Sequence, residues 1–128
     1  GVDSRRAGDR WEVFQYTGDT RTIRAAGRDT MDWIKEAQDR GAGEIVLNCM
    51  DQDGVGAGYD LEQLEAARAR LSIPLVASGG AGETEHFVDV FRKADVSGAL
   101  AAGAFHAGRL TIGGVKEALA AAYVEVRR

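Results

Sequence analysis

Large apolar and polar side chains alternate along WEVFQYT (residues 11–17) and stop at Gly18-Asp19, the period-two pattern of a half-buried strand entering a turn. The pattern predicts Thr20 to Ile23 as its hairpin partner. From Asp29 to Arg40 the period changes. Met31, Trp33, Ile34 and Ala37 recur at helical spacing, Asp29 or Thr30 is placed to cap the start, and Gly41 stops the run. A short apolar run, Glu44 to Cys49, is too brief for a helix, and a loop DQDGVGAG and a helix from Asp60 to Leu71 follow it. The unit recurs as strand Ile73 to Ser78, loop Gly79 to Gly82 and helix Glu83 to Lys93. It recurs again as Gly98 to Ala102, leading through Gly103 into a helix near Thr111 to Ala122. Near-continuously apolar strands alternating with helices imply a parallel sheet covered by helices, either doubly wound or closed into a barrel.

A length of 128 residues gives room for one domain, and 45% hydrophobic with 28% charged residues is an ordinary globular composition. No apolar run is long enough to span a bilayer, so no membrane partner is expected. Sixteen basic and 20 acidic side chains, a formal charge of −4, are interspersed rather than clustered, which argues against a nucleic-acid surface. One Cys forms no internal disulfide, and GVDSRRAGDR lacks the apolar core of a secretory signal. The expected compartment is therefore the cytoplasm.

Seventeen glycines against one proline change the picture, because they cluster where each strand ends. Gly54, Gly56 and Gly58 follow the first apolar strand, Gly79, Gly80 and Gly82 the second, and Gly103 the third. In a parallel α/β protein these strand ends form one ligand face, and amides of Gly-rich loops suit a phosphate dianion. Tight βα turns alone would also use glycine. No loop matches the dinucleotide or P-loop fingerprints, and no cofactor is expected. Asp51 to Glu62 has Asp, Asp, Gly and Glu at positions 1, 3, 6 and 12 of a calcium loop, but Val55 and Tyr59 remove two oxygen ligands and a strand precedes it. Cys49 has neither a second Cys nor an adjacent His and reads as a core residue. His86 reads as structural, His106 as a rim residue, and Trp11 and Trp33 as packing residues.

GAGEIVLNCMDQDGVGAGYD (residues 41–60), PLVASGGAG (74–82), EHF (85–87) and GALAAGAFH (98–106) strongly resemble the cyclase subunit of imidazole glycerol phosphate synthase. FQYTGD, DTMDWI and LTIGGVKEAL extend the resemblance over essentially the whole chain. It implies a (βα)8 barrel of histidine biosynthesis. That barrel takes ammonia from a glutaminase partner and joins it to a phosphorylated, sugar-nucleotide-like carboxamide (PRFAR). The products are imidazole glycerol phosphate and an aminoimidazole carboxamide ribotide. A complete barrel needs about 250 residues, so the resemblance covers only the carboxyl-terminal half. Residues 1–3 match the end of the family's fifth strand, and helices five to eight and strands six to eight follow. Open strand edges imply pairing, with an identical half as a homodimer or with an amino-terminal half.

By the same resemblance, Asp3 matches one of two catalytic aspartates, a general acid or base; the other belongs to the amino-terminal half. Gly54, Gly80, Ala102 and Gly103 match positions whose backbone amides hold one substrate phosphate, with Gly79 beside them. Gly103 stands where bacterial relatives usually carry Ser. Asn48 matches a position facing the substrate, and Asp53 is expected to orient the phosphate loop, since its carboxylate would repel the anion. Ser78 sits at a strand end, where its hydroxyl is placed either to donate to substrate or to face solvent in a turn. Glu44, at the opposite face, matches a charged ring around the ammonia entrance.

Overall fold

The computed structural model describes residues 1–127. One sheet holds six strands, β1 (Val2–Ala7), β2 (Arg10–Gln15), β3 (Arg24–Asp29), β4 (Ile45–Cys49), β5 (Leu75–Ser78) and β6 (Gly98–Leu100), in the order β3-β2-β1-β4-β5-β6. From β1 through β6 the pairing is parallel, whereas β2 and β3 pair antiparallel with their neighbours. The helices α1 (Thr30–Asp39), α2 (Leu61–Arg70), α3 (Thr84–Ala94), α4 (Gly103–His106) and α5 (Ile112–Ala121) return the chain between and after the parallel strands.

Strand alternation assigns two faces with different fates. Val2, Ile45, Leu47, Cys49, Leu75 and Ala77 are buried in a core shared with Ile34 of α1, Leu64 and Ala67 of α2, Phe87 and Val90 of α3 and Leu119 of α5. The intervening residues, Asp3, Val46, Asn48, Val76 and Ser78, are only half-buried and Leu100 is exposed. Helices cover one face of the sheet and leave the other open, as the inner wall of half a barrel.

Local chemistry explains the helix boundaries. Asp29 Oδ1 accepts from Asp32 N–H at 3.1 Å, Asp60 Oδ1 from Gln63 N–H at 3.1 Å and Thr111 Oγ1 from Gly114 N–H at 3.1 Å, each satisfying an otherwise orphaned amide. Thr30, the alternative cap, is instead fully buried, sharing a 2.7 Å hydrogen bond with the equally buried Ser4 hydroxyl.

Three expectations are corrected. Thr20–Ile23 is not the partner of β2: Thr22 Oγ1 donates to Tyr16 and Asp19 carbonyls at 2.9 Å, closing a turn, and the partner strand is Arg24–Asp29. Gly27 sits at the irregularity in that pairing with φ of 70°, a backbone state suited to glycine. Residues 1–3 open a six-residue strand whose first part, Val2 to Ser4, pairs with β4, while its length from Asp3 to Ala7 forms a hairpin with β2 around Gly8-Asp9. Gly103 leads into the short helix α4 before the final helix.

Candidate active site

Register carries the site. Asp3 lies beside Asn48, Asn48 beside Ser78 and Ser78 beside Leu100, so three polar residues from segments tens of residues apart form one row on the open face. The row ends at the carboxyl ends of the strands, where it meets a cavity of about 630 Å³. Asp3, Asn48, Asp53, Gly54, Ser78, Gly79, Gly80, Ala102 and Gly103 all line that cavity, together with Gly56 and Arg109. Glu44 does not. It is exposed immediately before β4, on the face of Val46 and Asn48 but about 13 Å along the strand from Asn48.

Asp3 is held from two sides. Its Oδ1 accepts from Asn48 Nδ2 at 2.9 Å and its Oδ2 from Thr17 Oγ1 at 2.6 Å. Each carboxylate oxygen has more than one acceptor site, so both bonds fix the group's orientation while leaving capacity for an incoming proton donor. Thr17 reaches Asp3 because Tyr16 adopts a left-handed φ of 57° directly after β2, turning the chain back over β1. Nothing local in the sequence marks Thr17: its hydroxyl lies 14 residues from Asp3, and only the hairpin brings them together.

The glycines divide by cause. Gly80 has a φ of 113°, and a Cβ there would sit 2.1 Å from the Gly58 carbonyl oxygen; Gly82 would place one 2.4 Å from the Gly56 oxygen. A 2.8 Å hydrogen bond from Gly58 N–H to Gly80 O ties these two loops together. At Gly79 the obstruction is the Cys49 carbonyl, 2.8 Å away. Close packing of one βα loop on the next therefore demands Gly79, Gly80 and Gly82. Gly54 needs glycine only for its φ of 75°, and at Gly103 neither φ nor contact excludes a side chain, since a Cβ at either position faces open space.

His86 braces the second loop. Its Nδ1 accepts from Gly82 N–H at 3.1 Å and Glu83 N–H at 3.3 Å, capping α3 through a side chain on its first turn. His106 is exposed at the end of α4. Asp53 lines the cavity, and among the described residues its carboxylate accepts no hydrogen bond. Asp51 Oδ2 accepts from Arg6 N–H at 2.7 Å, anchoring the loop to β1. The would-be calcium loop is committed elsewhere: Tyr59 donates its hydroxyl to the Leu100 carbonyl at 2.8 Å, and Glu62 pairs with Arg6 at 2.5 Å.

Cys49 is completely buried, and burial first, then the nearby Asp60 and Asp51 charges, push its thiol far above the ordinary range. The thiolate is the reactive form, so Cys49 is expected to resist alkylation at pH 8 in the folded chain and to react within minutes in denaturant, as followed by mass spectrometry. Rapid native modification would refute that assignment. Trp11 lies in the core, and Trp33 is half-buried under the Arg28 guanidinium, 4.6 Å from the ring centre.

Parallel strands each followed by helical chain, an uncovered inner face and a glycine-lined cavity at the strands' carboxyl ends define the chain as half of a (βα)8 barrel. The family of histidine biosynthesis proteins matches residues 1–111, and the chain belongs to that family. It is 59% identical over 127 residues to imidazole glycerol phosphate synthase subunit HisF of Maricaulis maris and 57% identical over 128 residues to that of Xylella fastidiosa strain M12. It is 56% identical over 128 residues to the same subunit of Xanthomonas oryzae pv. oryzae. In each case 99% of the chain aligns with 50% of the relative. The chain thus spans about half the length of the curated relatives it matches.

Proposed function

We propose that the chain provides the carboxyl-terminal half of a cyclase that combines ammonia with PRFAR to give imidazole glycerol phosphate and the carboxamide ribotide. The observation that carries this reading is the placement of one oriented carboxylate, Asp3, on the rim of the glycine-lined cavity. A substrate phosphate is held by amides of Gly54, Gly80 and Gly103, next to Gly79 and Ala102. The reacting end then lies over the row of Asn48 and Ser78, within reach of Asp3. Asp3 exchanges protons during ammonia addition and ring closure, Asn48 keeps it aimed, and the Ser78 hydroxyl donates to substrate. Glu44 stands at the other end of the same face, where ammonia from a glutaminase subunit enters. An amino-terminal half supplies the second carboxylate.

The test is ammonia-dependent conversion of PRFAR by the chain alone and with an amino-terminal half-barrel added. Turnover confined to the mixture supports this reading, and no turnover in either refutes it. A second reading, a non-catalytic phosphate-binding half that folds by self-association, is favoured by the apolar side chains of Val46, Val76 and Leu100 on the uncovered face. A light-scattering mass of two chains with phosphate binding but no turnover would select it.

Gly103→Ser offers a separate check of the phosphate site. Its Cβ meets open space, so stability should change by less than about 0.5 kcal/mol. One added neutral hydrogen bond should tighten inorganic phosphate about two- to tenfold in a calorimetric titration. Unchanged affinity would show that a side chain at position 103 does not reach the phosphate.

A further inference from the structure

We propose that Arg109 is the cationic anchor of the phosphate site, an assignment that rests on the phosphate-binding reading above. Among the described residues the charged side chains lining the cavity are Asp3, Asp53 and Arg109. A phosphate dianion entering there meets two carboxylates, and backbone amides alone carry no net charge to offset them. Among the described residues Arg109 is the one cationic side chain on the wall.

Its position is built rather than incidental. Gly108, with φ of 69°, terminates α4 in the left-handed state. The chain then doubles back so that the N–H groups of both Arg109 and Leu110 donate to the Ala104 carbonyl, at 3.1 and 3.3 Å. Ala104 is buried and Leu110 packs against the core, fixing the backbone while the Arg109 side chain stays exposed at the cavity wall. Several arginines elsewhere in the chain are engaged: Arg6 and Arg28 pair with Glu62 and Glu36, and Arg24 lies over the Tyr16 ring. No ion pair holds Arg109 among the described residues. A guanidinium presents a planar fork that matches two phosphate oxygens, and a charge-assisted pair of this kind is stronger than a neutral hydrogen bond.

The experiment is calorimetric titration of inorganic phosphate into the wild-type chain, Arg109→Gln, Arg109→Lys and a control, Arg92→Gln, on the exposed side of α3 outside the cavity. Arg109→Gln is expected to weaken phosphate about tenfold, Arg109→Lys to fall between that and wild type because it keeps the charge but loses the two-point fork, and Arg92→Gln to match wild type. The Arg109 defect should shrink as salt is raised, and thermal midpoints should agree across the set because the side chain is exposed. Equal affinity of wild type and Arg109→Gln, or an equal loss in Arg92→Gln, would overturn Arg109 as anchor and leave the phosphate site standing. A wild-type chain that binds no phosphate would overturn both.

Discussion

Asp3→Asn is expected to lower ammonia-dependent turnover about 10²- to 10⁴-fold in a barrel completed with an amino-terminal half, the range associated with loss of one positioned acid or base. The substitution preserves shape and removes proton exchange. It also disturbs the local bonding, because both carboxylate oxygens are acceptors in the native site, from Asn48 Nδ2 and Thr17 Oγ1. An amide offers one acceptor oxygen and an NH2 group, so it keeps one bond and must turn a donor toward the other partner. Thr17 can rotate its hydroxyl to accept, so the cost in stability is small. The phosphate amides lie on other loops, and inorganic phosphate affinity should hold or rise, because the substitution removes one of the two carboxylates lining the cavity. Turnover and phosphate titration on the same preparation therefore separate chemistry from binding. Turnover within threefold of wild type would sink the assignment of Asp3.

Gly80→Ala should be the most damaging single-methyl change in the chain, lowering unfolding free energy by about 3 to 5 kcal/mol in urea melts. Two costs combine. An L-residue held at a φ of 113° carries about 1 to 3 kcal/mol of backbone strain. The added Cβ also lies 2.1 Å from the Gly58 carbonyl oxygen, and relieving that overlap breaks the 2.8 Å Gly58–Gly80 bond joining the two loops. Overpacking of this kind costs about 1 to 3 kcal/mol more. Gly54→Ala supplies the contrast. It shares the positive φ but faces open space, so only the backbone cost of about 1 to 2 kcal/mol applies. Equal destabilisation by the two variants would show that loop-on-loop contact is not what requires Gly80.

The hairpin shows where local pattern fell short. Residues Val2 to Ala7 read as polar, VDSRRA, and no apolar alternation marks them as a strand. Ser4 is nonetheless buried because Thr30, 26 residues on, satisfies its hydroxyl, and Arg6 lays its guanidinium over the Trp11 ring at 4.9 Å. One signal was available. Gly8-Asp9 is a two-residue loop of the type that closes hairpins, and Ala7 pairs with Arg10 across it. Thr20–Ile23 was misplaced for the opposite reason: its alternation resembled a strand, but the Asp19 carboxylate accepts from Arg21 N–H at 2.9 Å, a local bond that competes with strand pairing.

The sequence by itself determined the alternation of strand and helix, a helix cap at Asp29 or Thr30, helix starts near Asp60 and Thr111, the family resemblance and the glycine loops at successive strand ends. Those features are local. Periodicity reports burial, caps report orphaned amides, and glycine reports an unusual φ or a close approach. Only the tertiary structure decided which cause applied to each glycine, since the atoms obstructing Gly79, Gly80 and Gly82 belong to the end of β4 and the loop after it, more than 20 residues earlier. It alone placed Thr17 on Asp3, tied Asp51 to Arg6 and brought Arg109 to the cavity wall. The first two depend on the pairing of β1 with its neighbours, since a one-residue slip would send Asp3 to the opposite face, and the third on the turn after α4 that packs against the core.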